Sequence, residues 1–382
     1  MKKIKVMSIF GTRPEAAKML PLHLALQECT EIDASICVTA QHRELLDQVL
    51  EPFNIKPQYD LNIMASGQTL SDITTRVLNG LQDILQQSAP DLLLVHGDTT
   101  TTFVSSLAAF YAKLRVGHVE AGLRSYDKYQ PYPEEINRKL TTAIADLHFA
   151  PTEESYQKLI KENVPASSIY VTGNTVIDMM NYTINPNHKF LNESLNNLDF
   201  NKRIILMTAH RRENWGKPIE NICRAAARVV DAFPDTLLVW PLHPNPAVTK
   251  PANEFLAKNK QVLLTEPLDV RDLHNLMGRS YLVLTDSGGL QEEAPTLNKP
   301  VVVLREVTER PEGLSAGTLV LAGTQESTIY DIVSSLLTDK EMYLQMASKP
   351  NPFGDGKASQ RIVQSILFEY RYLKERPLGF LQ

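Results

Sequence analysis

A chain of 382 residues is long for one hydrophobic core and predicts two domains. Its composition, 43% hydrophobic and 22% charged, is that of a globular protein, and its net charge of −5 argues against a protein that binds nucleic acid or a membrane surface. The three cysteines are far apart and no apolar run approaches the roughly 20 residues of a membrane span, so we expect a cytoplasmic protein with reduced thiols.

Short runs rich in leucine and β-branched residues alternate with amphipathic stretches along the first half of the chain. Alternation at this spacing indicates parallel strands connected by helices. The predicted strands are 4–10, 34–39, 92–96, 116–120, 147–150 and 169–172, and the clearest helices are 69–87 and 100–113. The first run is short and leads directly into Gly11-Thr12-Arg13, so we do not predict an export signal.

The stretch 181–200 interrupts this alternation, because it is rich in asparagine and has no apolar period. Strands resume at 204–208, 237–242, 262–265, 281–285, 301–304 and 318–321. We therefore predict two doubly wound α/β domains, residues 1–180 and 200–357, each with a parallel sheet covered by helices on both faces. A last helix over about 358–377 is expected to join the first domain.

Reactive side chains follow almost every predicted strand, at the edge where ligands bind in open α/β sheets. In the first half these are Arg13, Lys18, Asp98 and Glu120, with Glu134 and Arg138 at the start of the next helix. In the second half they are His210, Arg211, His243, Ser287, Gly288, Gly289 and Arg310.

Taken singly, these residues have ordinary structural explanations. Arg13 or Arg310 could form a surface ion pair, Asp98 could cap a helix, and Glu134 could belong to a charged first turn. His210 could be a neutral core histidine, as we expect for three strand histidines: His96, His118 and His148. Because so many reactive groups fall at strand ends in both halves, a shared binding site is the better explanation.

The segment 284–293, Leu-Thr-Asp-Ser-Gly-Gly-Leu-Gln-Glu-Glu, is the most informative in the chain. It predicts a strand, a tight loop and a helix start, where backbone N–H groups and Ser287 can bind phosphate oxygens. A plain turn with Ser287 as N-cap is the alternative. Glu292 and Glu293 would repel a bare phosphate, so a ligand that carries hydroxyls beside its phosphates, such as a nucleotide sugar, fits better.

Other ligand classes lack their patterns. The histidines and cysteines do not have zinc spacing, and the chain contains neither a Gly-x-Gly-x-x-Gly after the first strand nor a Gly-Lys-Ser/Thr. We therefore predict no metal site and no bound cofactor.

Seven segments, in order along the chain, resemble the bacterial non-hydrolysing UDP-N-acetylglucosamine 2-epimerases. They are 10–19 (Phe-Gly-Thr-Arg-Pro-Glu-Ala-Ala-Lys-Met), 95–100, 117–124, 133–138, 208–214, 286–295 and 308–313. The resemblance implies a GT-B-like fold, in which two Rossmann-like doubly wound domains face a central cleft and a C-terminal helix crosses between them. It also implies a homodimer.

The same resemblance implies reversible conversion of UDP-N-acetylglucosamine into UDP-N-acetylmannosamine, by anti elimination of UDP to 2-acetamidoglucal and readdition. It assigns proton transfer to Asp98, Glu120 and Glu134, with His210 also in the catalytic set. UDP and sugar binding is implied for Arg13, Lys18, Arg138, His210, Ser287, Gly288, Gly289, Glu293 and Arg310.

Many members of this family bind a second UDP-N-acetylglucosamine as an activator, and the resemblance implies such a site at Gln41, Glu44, Gln68, Arg211 and His243. Regulated relatives can carry Gln and Arg where this chain has Glu44 and Gly67. Losing a cation and gaining an anion should weaken a diphosphate site, so the sequence leaves this regulation open.

Three other functions remain open at this point. One is a glycosyltransferase with the same UDP site, the second is a hydrolysing epimerase that releases free N-acetylmannosamine, and the third is a sensor of nucleotide sugars without turnover.

Overall fold

A computed structural model describes residues 2–41, 43–65 and 67–380 of the chain, without the side chains of Glu44 and Leu45. The residues form two compact units. The first contains the chain up to Tyr182 together with the part from Phe353 onward, and the second is Thr183–Pro352. We expected the segment 353–357 to belong to the second domain, but it belongs to the first unit. The Asn174 N–H donates to the Phe353 carbonyl at 2.7 Å and holds this segment there.

Within the described residues, the first unit has a seven-stranded parallel sheet in the order β3-β2-β1-β4-β5-β6-β7. Its strands are β1 (Ile4–Phe10), β2 (Ile32–Val38), β3 (Tyr59–Asp60), β4 (Leu92–His96), β5 (Arg115–Val119), β6 (Leu147–Ala150) and β7 (Ile169–Val171). The sequence missed β3, because two residues are too short to show a pattern.

The described part of the second unit has a six-stranded parallel sheet in the order β10-β9-β8-β11-β12-β13. Its strands are β8 (Arg203–Thr208), β9 (Thr236–Pro241), β10 (Val262–Thr265), β11 (Leu282–Thr285), β12 (Val301–Val303) and β13 (Leu319–Leu321). All strands within a sheet are parallel, but the order in which the chain adds them reverses at one point. This point lies between β1 and β4 in the first unit and between β8 and β11 in the second. Doubly wound sheets bind ligands at such a point.

Helices connect the strands in both units. They are α1 (Arg13–Glu28), α2 (Arg43–Leu50), α3 (Leu70–Ser88), α4 (Thr100–Tyr111), α5 (Glu134–Ile144), α6 (Glu153–Lys161), α7 (Thr175–Asp178), α8 (Met180–Thr183), α9 (Glu193–Asn196), α10 (Lys217–Ala232), α11 (Pro246–Leu256), α12 (Val270–Arg279), α13 (Gly288–Glu293), α14 (Pro311–Ala316), α15 (Glu326–Thr338), α16 (Lys340–Ala347) and α17 (Ala358–Glu369). None of those in the described part of the chain combines the length and apolarity needed to cross a bilayer.

The strands lie at the centre of each unit, so their side chains are buried on both faces of the sheet. All five residues of β4 are buried, and Trp240 of β9 is fully buried among α10, α11 and the sheet of the second unit. Continuous apolar strands of this kind are typical of parallel sheets covered by helices. Helix starts are fixed by side-chain caps, as where Thr69 Oγ1 accepts from the Asp72 N–H at 3.2 Å to begin α3.

The last helix is shorter than predicted. It ends at Glu369 and not near residue 377, because Arg371 adopts a left-handed conformation, with φ of 64°. The Tyr372 N–H then closes the end by donating to the Leu367 carbonyl at 2.8 Å. At the other end, the buried Asp178 carboxylate accepts from the backbone N–H groups of Ala358 and Ser359 at 3.0 and 2.6 Å.

Candidate active site

The loop after β1 is organised by one buried carboxylate, Glu15. Its Oε2 accepts from the Gly11 N–H at 3.1 Å and from the Thr12 N–H and hydroxyl at 2.8 Å. Its Oε1 accepts from the hydroxyls of Thr99 at 2.7 Å and Thr102 at 3.2 Å, which lie at the start of α4. Glu15 thus joins the carboxyl ends of β1 and β4 and fixes the helix that carries Arg13 and Lys18.

Lys18 reaches from α1 to the end of β5. Its Nζ lies 2.7 Å from both carboxylate oxygens of Glu120. On the other side, His96 Nε2, at the end of β4, lies 2.8 Å from Glu120 Oε2, and Asn174 Nδ2 donates to Oε1 at 3.3 Å. Two predicted site residues, Lys18 and Glu120, are therefore brought together, with two further groups around the carboxylate.

Glu120 is held in an unusual state. Its backbone has φ of 63°, in the left-handed region, and its side chain is 8% exposed. Burial alone would raise its pKa, but the positive charge of Lys18 and the interaction with His96 outweigh burial and hold the pKa of the Glu120 carboxyl well below its usual range. Glu120 is therefore an ionised carboxylate at neutral pH.

Asp98 follows β4 and is bound by α5. Arg138 donates from Nε at 2.9 Å and from Nη2 at 2.6 Å to the same oxygen, Asp98 Oδ2, and Asn137 Nδ2 donates to the Asp98 carbonyl at 2.9 Å. These bonds bring the start of α5, and with it Glu134, to the end of β4. Glu134 Oε2 is buried and has no hydrogen-bond partner among the described residues, so this carboxylate is available to a ligand proton or hydroxyl.

Cations and glycines converge at the loop after β11 in the second unit. A methyl group built on Gly288 would lie 3.7 Å from Arg211 Nη2 and 3.7 Å from Arg310 Nη2. Arg211 follows β8 and Arg310 begins the segment before α14, so two guanidinium groups from different loops meet above one glycine. Arginine guanidinium groups and backbone N–H groups that a glycine leaves accessible commonly bind phosphate in proteins.

Arg310 is oriented by Glu292, the first of the paired glutamates. Its Nε is bonded to Glu292 Oε1, and Glu292 is almost fully buried. The Glu292 backbone carbonyl in turn accepts from Asn351 Nδ2 at 2.7 Å. In the sequence, Glu292 looked unfavourable for phosphate binding. In the structure its carboxylate binds Arg310 and orients the guanidinium, so Glu292 has a structural role.

His210 lies beside the buried carboxylate of Asp286. The backbone N–H groups of His210 and Arg211 each donate to Asp286 Oδ2 at 2.8 Å, and His210 Nδ1 lies 3.3 Å from Oδ1. The ring of His243 stacks on that of His210, with centroids 5.9 Å apart and planes inclined by 11°. Burial lowers the pKa of His210, Asp286 opposes this, and the positive charge of Arg211 adds to the lowering.

Glu293 is buried at the end of α13, and His274 Nε2 lies 3.4 Å from its Oε2. A Cβ atom built on Gly289 would be 3.5 Å from Glu293 Oε1 and 3.8 Å from Ser287 Oγ. The predicted loop residues and Glu293 are therefore neighbours, and carboxylate and hydroxyl oxygens lie next to the glycine backbone.

The residues of the predicted activator site are divided between the units. Gln41 Oε1 accepts from the Thr101 hydroxyl at 3.4 Å in the first unit, where Gln68 Oε1 is buried without a hydrogen-bond partner among the described residues. Arg211 and His243 belong to the second unit. The side chain of Glu44 lies outside the described residues.

Two partners at the site were missed from the sequence. His96 is buried, as expected, but its Nε2 faces Glu120 and not the hydrophobic core. Asp286 was not among the predicted site residues, although it binds the segment after β8. The usable signal was position, because His96 ends β4 and Asp286 directly follows β11. In the described part of the chain, no group of three or more His, Cys, Asp or Glu side chains could hold a metal ion.

Comparison with known proteins gives a consistent result. A family model described as UDP-N-acetylglucosamine 2-epimerase matches residues 24–367. The UDP-N-acetylglucosamine 2-epimerase of Bacillus subtilis is 54% identical over 380 residues, which cover 100% of this chain and 99% of that protein.

Solved structures agree with the sequence comparison. The Staphylococcus aureus protein MnaA, solved with UDP, is 50% identical, with a TM-score of 0.90 and coverage of 100% of both chains. The UDP-GlcNAc 2-epimerase of Neisseria meningitidis, solved with UDP-GlcNAc bound, is 48% identical, with a TM-score of 0.87 and coverage of 96% of this chain and 100% of that one. The two Rossmann-like units match this fold.

Proposed function

The chain belongs to the UDP-N-acetylglucosamine 2-epimerase family, and from this premise we propose that it interconverts UDP-N-acetylglucosamine and UDP-N-acetylmannosamine without net hydrolysis. The main support for the proposal is that each unit has a different set of functional groups. The first unit has carboxylates at adjoining strand ends, with Glu120 bound by Lys18. The second has two arginines beside Gly288, as a diphosphate requires.

The chemistry explains why both groups are needed. The proton at sugar C2 is weakly acidic because no carbonyl is beside it, so its removal must accompany the departure of UDP from C1. The C2–H and C1–O bonds break, a C1=C2 double bond forms, and 2-acetamidoglucal and UDP result. Readdition of UDP to C1 then delivers a proton to the opposite face of C2. Such a route needs donors for the leaving group and acid–base groups at the sugar.

We assign the leaving group to the second unit. Arg211, Arg310 and the backbone at Gly288 and Gly289 would bind the diphosphate, with Ser287 and His210 as further donors. Glu293, whose carboxylate lies beside Gly289, would accept from the ribose hydroxyls. The relative solved with UDP supports this ligand.

We assign proton transfer to the first unit. Asp98, Glu120 and Glu134 are the carboxylates of this proposal, and Lys18 and Arg138 offset their charge while Arg13 contributes a further cation. The bonds from Arg138 leave Asp98 Oδ1 without a hydrogen bond from the described residues, so one oxygen of this carboxylate remains for substrate.

Product analysis tests this function against its rivals. We expect the purified chain, given UDP-N-acetylglucosamine alone, to form UDP-N-acetylmannosamine until the two reach a constant ratio. Accumulation of free N-acetylmannosamine and UDP would instead identify a hydrolysing enzyme. Binding of UDP-N-acetylglucosamine without any product would indicate a sensor or a glycosyltransferase that lacks its acceptor.

A homodimer remains a prediction from the family resemblance and a cytoplasmic location remains one from the composition, while activation by a second substrate molecule stays open. Analytical ultracentrifugation tests the first, and the shape of the rate curve against substrate concentration tests the last.

A further inference from the structure

Asp286 is a buried carboxylate that links two loops of the second unit. It is 0% exposed, and it lies between β11 and the Ser287 loop. Its Oδ2 accepts from the backbone N–H groups of His210 and Arg211, both at 2.8 Å, and from Asn214 Nδ2 at 3.0 Å. One oxygen thus fixes the backbone that carries both His210 and Arg211.

The second oxygen has a different situation. Asp286 Oδ1 is buried and accepts no hydrogen bond from the described residues. A buried carboxylate oxygen without a donor is costly, so a donor at this position stabilises the fold. His210 Nδ1 lies 3.3 Å away and can supply one. The exposure of His210 is 40% of its side chain, so the ring has one side toward Asp286 and another toward solvent.

We propose that Asp286 is a positioning residue for His210, which holds the imidazole with a proton on Nδ1 and so presents Nε2 to the diphosphate of UDP. This inference rests on the proposed function for the identity of the ligand. The neutral ring can accept at Nε2. When UDP binds, a proton taken up at Nε2 makes the ring a cation that donates to a phosphate oxygen, while Nδ1–H donates to Asp286.

The charged and titratable groups around His210 act in opposite directions. Asp286, from the end of β11, favours the protonated ring. Arg211, its chain neighbour, and His243, from the end of β9, disfavour it, and burial lowers the pKa of His210. Without the carboxylate, burial, Arg211 and His243 would lower the pKa of His210 further, so the ring would take up a proton less readily when UDP binds.

The chain contains a matched control in the same unit. Asp272 is also buried, and it accepts from the backbone N–H groups of Leu191 at 3.1 Å and Asn192 at 2.9 Å. Its Oδ1 lies 2.7 Å from the Nε2 of His188. Asp272→Asn therefore removes the same kind of structural carboxylate beside a histidine, but away from the residues proposed for UDP.

The test is the pH dependence of UDP affinity, measured by calorimetry on the whole chain and on Asp286→Asn and Asp272→Asn. If the substitution lowers the pKa of His210 by about one unit in both the free and the UDP-bound protein, Asp286→Asn binds UDP up to about tenfold more weakly near pH 7.5. The deficit shrinks as the pH falls below the pKa of His210 in both free proteins, because both rings are then protonated before UDP binds. Asp272→Asn keeps the affinity of the unsubstituted protein. A deficit that is the same at every pH, or equal in both variants, would overturn the proposal.

A second comparison separates positioning from a structural role. In a double-mutant cycle, Asp286→Asn added to His210→Asn should have little further effect on UDP affinity, because its action requires the imidazole. Full additivity would contradict the proposal.

A spectroscopic measurement on the unsubstituted chain tests the role of Asp286 even if the variants fail to fold or the chain fails to bind UDP. Nitrogen-15 spectra of labelled histidine, with His210 assigned through His210→Asn, should show the neutral ring protonated at Nδ1. A proton at Nε2 would refute the role of Asp286. Absence of UDP binding would refute the proposed function while leaving this tautomer test in force.

Discussion

At the scale of single residues, the carboxylates of the first unit differ in how they are bound. Glu120 is enclosed by Lys18, His96 and Asn174, whereas Arg138 binds only one oxygen of Asp98. Both residues follow strands, but Glu120 is kept ionised by its neighbours and Asp98 keeps one oxygen without a hydrogen bond from the described residues. Two carboxylates in such different surroundings can perform different proton transfers within one cycle.

Isosteric amides test these roles. Asp98→Asn or Glu120→Gln should lower kcat about 10²–10⁴-fold, because each removes an acid–base group, while UDP affinity changes little. Steady-state kinetics and calorimetry give the two quantities. Glu135→Gln is not a suitable control, since Glu135 accepts from the backbone N–H of Ser125. Glu28 on α1 is exposed and is a suitable control, and Glu28→Gln should leave both kcat and UDP affinity unchanged. A variant of Asp98 or Glu120 with full kcat would remove that residue from the mechanism.

Glu15 accepts hydrogen bonds from the loops after β1 and β4, so we expect it to contribute to stability. Glu15→Gln keeps the shape of the side chain but replaces one accepting oxygen by a donor that faces other donors. We expect a loss of about 1–3 kcal/mol in the free energy of unfolding, measured by denaturant titration followed by circular dichroism. Glu28→Gln in the same helix should cost almost nothing, and equal losses in the two variants would contradict the role given to Glu15.

At the scale of elements, the Ser287 loop shows why a glycine is needed where β11 meets α13. The nearest atoms to a Cβ on Gly288 would be guanidinium atoms of Arg211 and Arg310 at 3.7–3.9 Å, which are ordinary contact distances, so we expect the fold to tolerate an alanine there. The same methyl group would occupy the space between the two guanidinium groups, where we propose that a phosphate oxygen of UDP binds.

Gly288→Ala should therefore fold normally and bind UDP at least tenfold more weakly, since about 1.4 kcal/mol corresponds to tenfold. Calorimetry and thermal unfolding give the two measurements. Gly278→Ala in α12 is the matched control, because its Cβ would meet only Ile184 and Leu297 at 3.8–3.9 Å. Unchanged UDP affinity in Gly288→Ala would mean that the loop does not bind the diphosphate.

Elements were predictable from the sequence where burial leaves a continuous pattern. Apart from the two-residue β3, the strands of both sheets were found within one or two residues, because parallel strands covered on both faces are apolar throughout. The end of α17 was not found, since it depends on the left-handed conformation of Arg371. The pair of Asp286 and His210 could not be found either, because its members are 76 positions apart and meet only through the β8–β11 pairing.

At the scale of the whole molecule, three buried histidines make the first unit sensitive to acid. Burial lowers the pKa of His23 to about 4, that of His118 to about 3 and that of His148 to about 4. The unfolded chain binds these protons near the ordinary histidine pKa of about 6.5, and the folded chain does not. Stability is therefore complete above about pH 6.5 and is lost as the pH falls toward 4.

Near pH 5 the three histidines together should lower the free energy of unfolding of the first unit by up to about 4 kcal/mol per pH unit. Hydrogen exchange of peptides from β1, β4 and β6, corrected for intrinsic rates, measures this. His23→Gln should reduce the slope by about 1.4 kcal/mol per pH unit, because it removes one of the three protons. A stability that does not change between pH 7 and pH 5 would contradict the buried neutral state.

The division of labour between the two units is the central claim: UDP departs through groups of the second, and the C2 proton is exchanged by carboxylates of the first. The most direct measurement is a proton NMR time course of the purified chain with UDP-N-acetylglucosamine in D₂O. The account predicts UDP-N-acetylmannosamine that carries deuterium at C2, with the label also entering the remaining substrate as the reaction reverses. Product that keeps its original C2 proton, or a reaction that yields only free sugar and UDP, would contradict it.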